Sequence, residues 1–150
     1  MTRLLWFNST TTGVGPLSAT AIVAKIGNGS EFQKGRDLSA YLGLTPRQHS
    51  SGEKQTLGSI TKHGDRYVRQ LLVHGGRSCV KGALRVDKKT GAFYKNDAHS
   101  AWVRNLADRV GMNKASVAVA NKNARIMVAI LKNKTTFCPE LAHRQEGNGL

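Results

Sequence analysis

Cysteine is scarce: Cys79 and Cys138 are the only two in the sequence. Two thiols are too few for a disulfide scaffold or a cysteine-built zinc site. Cys79 falls within an apolar helical pattern and reads as a small buried hydrophobe. Long apolar runs are missing as well. None approaches the roughly 18 residues of a membrane span, and the apolar part of MTRLLWFNSTTT is too short for a secretory signal. A cytoplasmic protein without a membrane partner is the simplest expectation. Aromatic residues make up 6% of the chain. A lipid-binding basic surface wants aromatic or leucine-rich faces beside its lysines, so their scarcity favours nucleic acid as the anionic partner. Carboxylates are few and dispersed. Two-metal nucleases need several acids converging on one site, whereas Asp65, Asp87, Asp97 and Asp108 scatter among helix starts, turns and ion pairs. The histidines His49, His63, His74, His99 and His143 show no His-x3-His spacing. No metal or cofactor site is expected within this chain.

Positive charge is what the sequence has in excess. The net charge is +14, and its distribution is uneven. Residues 1–44 carry net +2, 45–86 carry +6 and 87–150 carry +6. The anion-facing surface is therefore expected to start near Arg47, and DNA is the obvious polyanion.

The apolar periodicity predicts an all-α bundle. Pro16 suits a first helical turn, where its missing N–H costs nothing. Leu17, Ala21, Ile22, Ala24 and Ile26 support a helix over 16–26, ended by Gly27-Asn28-Gly29. A short helix follows from 35 or 36 to 42 and stops at Gly43. The stretch 47–64 lacks a helical period and is broken by Gly52 and Gly58, so an irregular basic loop is expected at about 45–64, with Leu57 to Ile60 as its one extended piece. A helix over 65–86 aligns Val68, Leu71, Leu72, Gly75, Cys79 and Ala83 on one face. Arg66, Arg69, Arg77, Lys81 and Arg85 fall opposite. Gly75-Gly76 within it predicts a kink or a close helix contact. After the polar turn VDKKTGAF comes a helix over 97–110, with Ala98, Trp102, Leu106 and Val110 aligned and an Arg104–Asp108 pair at i,i+4. The last helix runs from Lys114 to about 131 with Asn113 as its N-cap. Its apolar stripe is Val117, Ala120, Ala124, Met127, Val128 and Leu131. Residues 1–12 read as a remnant or disordered leader, 13–132 as the folded domain and 133–150 as a flexible tail.

Gly13-Val14-Gly15 leading into a helix fits the hairpin of a helix-hairpin-helix motif, which turns backbone N–H groups toward a phosphate. Twelve residues of the sequence precede Gly13, and the expectation is that the helix before that hairpin is missing or damaged. The basic face of the 65–86 helix is either a solvated surface or a phosphate-facing one with salt-sensitive contacts. Ser50 and Ser51 sit in the basic stretch between His49 and His63. A serine nucleophile needs a base, a metal or nearby positive charge. Arg47, Lys54 and Lys62 supply charge suited to a phosphodiester rather than an ester.

Three segments together carry a resemblance: GVGPLSATAIVAKIGN, FQKGRDLSAYLGLTPRQHSSGEKQTLGSITKHGDRYVRQLLVHGGRS and NKASVAVANKNARIMVAIL. In this order, over roughly 13–132, they resemble the C-terminal transposase domain of the insertion-sequence 110/1111 family. The resemblance implies a two-part recombinase. An N-terminal RuvC-like domain carries an acidic tetrad that binds divalent metal such as magnesium, and the C-terminal domain carries a serine that attacks DNA. In part of the family a structured RNA encoded by the element guides target choice, and the full-length protein is expected to be oligomeric. The family's serine lies in a Ser-Gly pair between GLTP and ITKHG, which here is Ser51-Gly52. Lys62, Arg66 and Arg69 are assigned to phosphate binding on charge and position, joined by Gly13, Gly15, Arg47, Lys54, Arg77 and Lys81. The acidic domain has no counterpart here, so a truncated copy, inactive alone, is the expectation. The competing reading is a non-catalytic nucleic-acid-binding module of helix-hairpin-helix type whose serines are ordinary. A third is a decayed gene product that folds poorly.

Overall fold

A computed structural model describes residues 12–51 and 54–134, with the side chains of Ser50, Ser51, Lys54 and Gln55 excepted. The leader expected over 1–12 and the tail over 133–150 thus fall almost wholly outside the described residues. Five helices and one two-stranded hairpin are described. The all-α expectation holds for the body.

Helix α1 (Pro16–Ile26) starts on its proline and ends at Gly27, whose φ of +59° is open to glycine at little cost. Helix α2 (Gly35–Tyr41) is started by Lys34, whose backbone N–H donates to Asp37 Oδ2 at 2.7 Å. Strands β1 (Pro46–Ser51) and β2 (Lys54–Ile60) follow, then α3 (Arg66–Ala83), α4 (Ala98–Val110) and α5 (Met112–Asn133). Helix α5, the longest, packs against α2, α3 and α4. Two apolar clusters lie along it. Ile22, Leu38, Leu42, Leu72, Met127 and Val128 close the one beneath α1 and α2. Cys79, Val80, Val103, Leu106 and Val119 close the one between α3, α4 and α5.

Gly75 and Gly76 make a close contact rather than a kink in isolation. A Cβ on Gly76 would run into the Ser116 carbonyl oxygen of α5. Lacking those side chains, α3 approaches α5 on one flank and the 12–15 segment on the other. Buried Asn123 secures that segment by donating from Nδ2 to the Thr12 carbonyl at 3.1 Å.

Four expectations need correction. The irregular loop is an antiparallel hairpin, pairing Pro46 with Ile60, Gln48 with Leu57, His49 with Thr56 and Ser51 with Lys54, with a bulge between Pro46 and Gln48. Both faces of this ribbon meet solvent, so its sequence has no apolar alternation to advertise a strand. Helix α3 ends at Ala83 rather than 86, because Val86 bridges to Phe93 and Arg85 accepts from the Tyr94 N–H. Helix α5 starts at Met112, after Gly111 with φ +82°, so Asn113 is inside the helix and not its cap. Arg104 does not pair with Asp108. It donates to the carbonyls of Lys95 (2.7 Å) and Ala83 (3.3 Å) and to Asn96 Oδ1 (3.1 Å), while of the expected apolar line Leu106 is buried and Trp102 and Val110 pack against the same cluster, joined by Ser100, Val103 and Ala107.

Candidate nucleic-acid interface

The segment joining the hairpin to α3 is built by backbone constraint. Gly43 (φ +67°) and Gly64 (φ +75°) lie back to back across it. A Cβ on Gly43 would meet the His63 backbone, and one on Gly64 would meet the Tyr41 carbonyl oxygen. Only glycine lets the 62–64 turn seat itself on the end of α2. The Lys62 N–H donates to the Gly43 carbonyl at 3.1 Å, and Arg69 Nη1 donates to the carbonyls of Leu42 (3.0 Å) and His63 (2.8 Å). Lys62 itself holds φ +60°, a left-handed conformation uncommon for a residue with a side chain. Such strain persists where surrounding structure fixes it, and it concentrates at functional positions.

Helix α3 departs from this turn under a firm cap. Asp65 Oδ1 accepts from the Val68 N–H at 2.9 Å, while Oδ2 sits 3.2 Å from Lys25 Nζ of α1. These two contacts, the backbone one first, hold the Asp65 carboxyl below the usual range, and the Asp65 partner raises Lys25. An ion pair thus links the start of α3 to α1.

Between β2 and α3 lies a shallow groove of about 470 Å³, lined by Ile60, Lys62, Arg66, Arg69, Gln70, Val73 and His74. Three residues assigned to phosphate from the sequence, Lys62, Arg66 and Arg69, thus share one depression. Arg47 reaches its edge, with Nη2 3.5 Å from the Thr61 carbonyl. Arg77 and Lys81 continue along α3 beyond the groove, and Arg77 Nη2 donates to Asn113 Oδ1 at 3.2 Å. Gly13 is drawn away from solvent by its contact with Gly75, whereas Gly15, the N-cap of α1, has open space beside it. Sequence reasoning missed Gln70, His74 and the apolar floor of Ile60 and Val73. The i, i+4 spacing of Arg66, Gln70 and His74 was the available signal.

The hairpin stands out from the body. Every described side chain over 46–49 and 56–59 is exposed. Register sets Ser51 opposite Lys54. The described donors near this ribbon do not suit a divalent cation. The groove side chains are cationic or neutral, and the Asp65 carboxylate is already occupied. Among the described residues no cluster of three or more His, Cys, Asp or Glu is placed to hold a metal. No described helix is long and apolar enough to cross a membrane.

Comparison with known proteins places these features in a lineage. Residues 9–95 match the family described as Transposase IS116/IS110/IS902, a span that includes α1, the hairpin, the groove and all of α3. A Pseudomonas aeruginosa protein named "Probable family 20 transposase" is 45% identical over 127 residues, covering 85% of this chain and 35% of that protein. The transposase for insertion sequence element IS1111A of Coxiella burnetii is 44% identical over 125 residues, covering 83% and 32%. A pilin gene-inverting protein of Moraxella bovis is 26% identical over 131 residues, covering 86% and 37%. The chain spans about a third of the length of these curated relatives.

Proposed function

We propose, from the premise that this chain belongs to the Transposase IS116/IS110/IS902 family, that it forms the DNA-holding, serine-bearing part of a recombinase that moves DNA by phosphodiester transesterification. One observation carries the reading. The exposed ribbon that bears Ser51 leads directly into a cationic groove made by Lys62, Arg66 and Arg69. Phosphates on this path meet guanidinium and ammonium groups, of which the Arg69 guanidinium is held in advance by the Leu42 and His63 carbonyls.

In the proposed step the Ser51 hydroxyl oxygen attacks a DNA phosphorus. A serine–phosphate ester forms and one sugar P–O bond breaks. The departing sugar oxygen leaves as a hydroxyl, taking up a proton in exchange for the one that serine gives up. The number of phosphate ester bonds is unchanged, so the step needs no external energy source. Positive charge beside the reacting phosphate stabilises the pentacovalent transition state. The acidic, metal-binding domain implied by the resemblance would supply a divalent cation for that charge. No step is assigned to the cation, because the described residues of this chain offer it no cluster of ligands. The chain alone is therefore expected to bind DNA without recombining it. Guide RNA and an oligomeric whole protein are further parts of this proposal.

The test is a covalent-adduct assay on element-end DNA with magnesium, run on this chain and on the protein joined to an acidic domain. An adduct only in the joined protein, absent in Ser51→Ala, is the expected result. Unchanged recombination by Ser51→Ala sinks the nucleophile and leaves a non-catalytic binding module. An adduct from this chain alone overturns its inactivity.

A further inference from the structure

A second surface, distant in sequence from Ser51, has the chemistry of a base-stacking platform. Val86 bridges to Phe93, making a small hairpin over 86–94 between α3 and α4. Phe93 and Tyr94 are 44% and 59% exposed, although the apolar cluster beneath closes without them. Each ring is backed by an arginine. Arg85 Cζ lies 4.7 Å from the Tyr94 ring centroid, and Arg104 Cζ lies 4.2 Å from that of Phe93.

The platform is rigid before anything binds. Asp87 N–H donates to the Ala92 carbonyl and Gly91 N–H to the Asp87 carbonyl, both at 2.8 Å. Arg104 is anchored by the carbonyls of Lys95 and Ala83. Ordering the rings therefore adds little entropic cost on binding. The local charge selects an anion. Lys88 and Lys89 flank the turn, and the single carboxylate, Asp87, is used internally, accepting from the Lys89 N–H (3.0 Å) and the Thr90 hydroxyl (3.1 Å).

We propose that the 86–94 hairpin binds unpaired DNA, stacking bases on Phe93 and Tyr94 while Lys88 and Lys89 meet the adjoining phosphates. Duplex DNA keeps its base faces stacked on one another and offers protein only phosphates and groove edges. Exposed aromatic faces among cations suit a strand whose bases are free. The choice of DNA over RNA rests on the transposase reading above. The stacking argument does not.

The test is fluorescence anisotropy on the full 150-residue chain. The probes are a labelled thymidine oligonucleotide of about 12 nucleotides, its abasic counterpart and a duplex of about 20 base pairs. The thymidine strand should bind about tenfold tighter than the abasic strand. Phe93→Leu with Tyr94→Leu should erase that preference and leave duplex affinity within about twofold. Arg66→Ala should weaken duplex binding and keep the preference. Equal binding of thymidine and abasic strands overturns the platform, and so does a preference that survives the double variant. The abasic comparison uses the unaltered protein, so it decides the matter even if the variant misfolds. Tighter binding of a uridine strand than of thymidine overturns the assignment to DNA. Failure of the groove reading would appear separately, as indifference of duplex binding to Arg66→Ala.

Discussion

A Cβ built on Gly13 would lie 2.6 Å from the carbonyl oxygen of Gly75, and one built on Gly75 would collide with the carbonyl oxygen of Gly13. The two glycines let the entry to α1 lie directly on the middle of α3. Alanine at position 75 should therefore destabilise the fold by about 1–3 kcal/mol, since the overpacking cost outweighs the gain in helix propensity of about 1 kcal/mol. Gly82 is the control in the same helix. Nothing lies within 4 Å of its added Cβ, so Gly82→Ala should be neutral or stabilising by up to about 1 kcal/mol. Urea unfolding of both variants checks the pair. Equal effects would remove the argument from contact.

Arg66 and Arg69 should separate by phenotype. Arg69 donates to two carbonyls that join the end of α2 to the 62–64 turn, so Arg69→Ala should lower both the melting temperature and DNA affinity. Arg66 is exposed in the groove. Arg66→Ala should leave the melting temperature nearly unchanged, weaken DNA binding and reduce the slope of log affinity against log salt by about one. Thermal melts beside salt-titrated binding distinguish the two. A melting temperature unaffected by loss of Arg69 would show that its carbonyl bonds hold nothing.

The N-terminus of α4 depends on one side chain. Asp97 accepts from the Ser100 hydroxyl at 2.6 Å and from the Ser100 N–H at 3.2 Å. Asp97→Ala should cost about 1 kcal/mol, and Asp97→Asn should recover part of it. Denaturant midpoints measure both. An Asn variant no better than Ala would place the effect in charge and not in capping.

Stability should fall at both ends of the pH scale for local reasons. Hydrogen bonds to Ser100 for Asp97, and to Val68 and then Lys25 for Asp65, depress both carboxyls. Their contribution is complete above the ordinary carboxylate range and is lost as pH falls through the depressed native values. Lys25 is raised, chiefly by its hydrogen bond with Asp65. Its contribution is complete below the ordinary lysine value and is lost as pH rises through the raised one. Burial pushes the Cys79 thiol up to about 11. The folded state then holds that proton when the unfolded chain has released it, so stability declines from about pH 9. Melts across pH on Asp65→Asn should show a smaller acid loss. An unchanged acid limb would exclude Asp65 from it.

The same burial predicts that Cys79 is chemically quiet. With Cys138 replaced by serine, a thiol reagent at pH 8 should label the native protein far more slowly than the urea-unfolded chain. Equal rates would mean that the thiol is open to solvent.

The helical body was legible because α1, α3 and α5 bury one stripe each and punctuate it with proline, aspartate or glycine. Pro16 and Asp65 mark the starts of the first two as the backbone requires, whereas α5 was expected to start with Asn113 as its cap and starts at Met112 after Gly111. The hairpin was legible only in its Leu57–Ile60 piece, which lies within β2. PRQHSS and KQTLGSI bury nothing continuous, and strand propensity reports mainly on burial. The groove was half legible. Charge located Lys62, Arg66 and Arg69, but two tasks of the charged residues are tertiary and invisible in sequence: Arg69 binding two carbonyls, and Arg104 binding the carbonyls of Ala83 and Lys95 rather than Asp108.

The ribbon of β1 and β2 shares no described side chain with either apolar cluster. Its residues at 47–49 and 56–59 can therefore be exchanged without repacking the interior. Substitution there is decoupled from folding, which leaves the surface of the ribbon free to drift over generations while the scaffold that presents it stays the same.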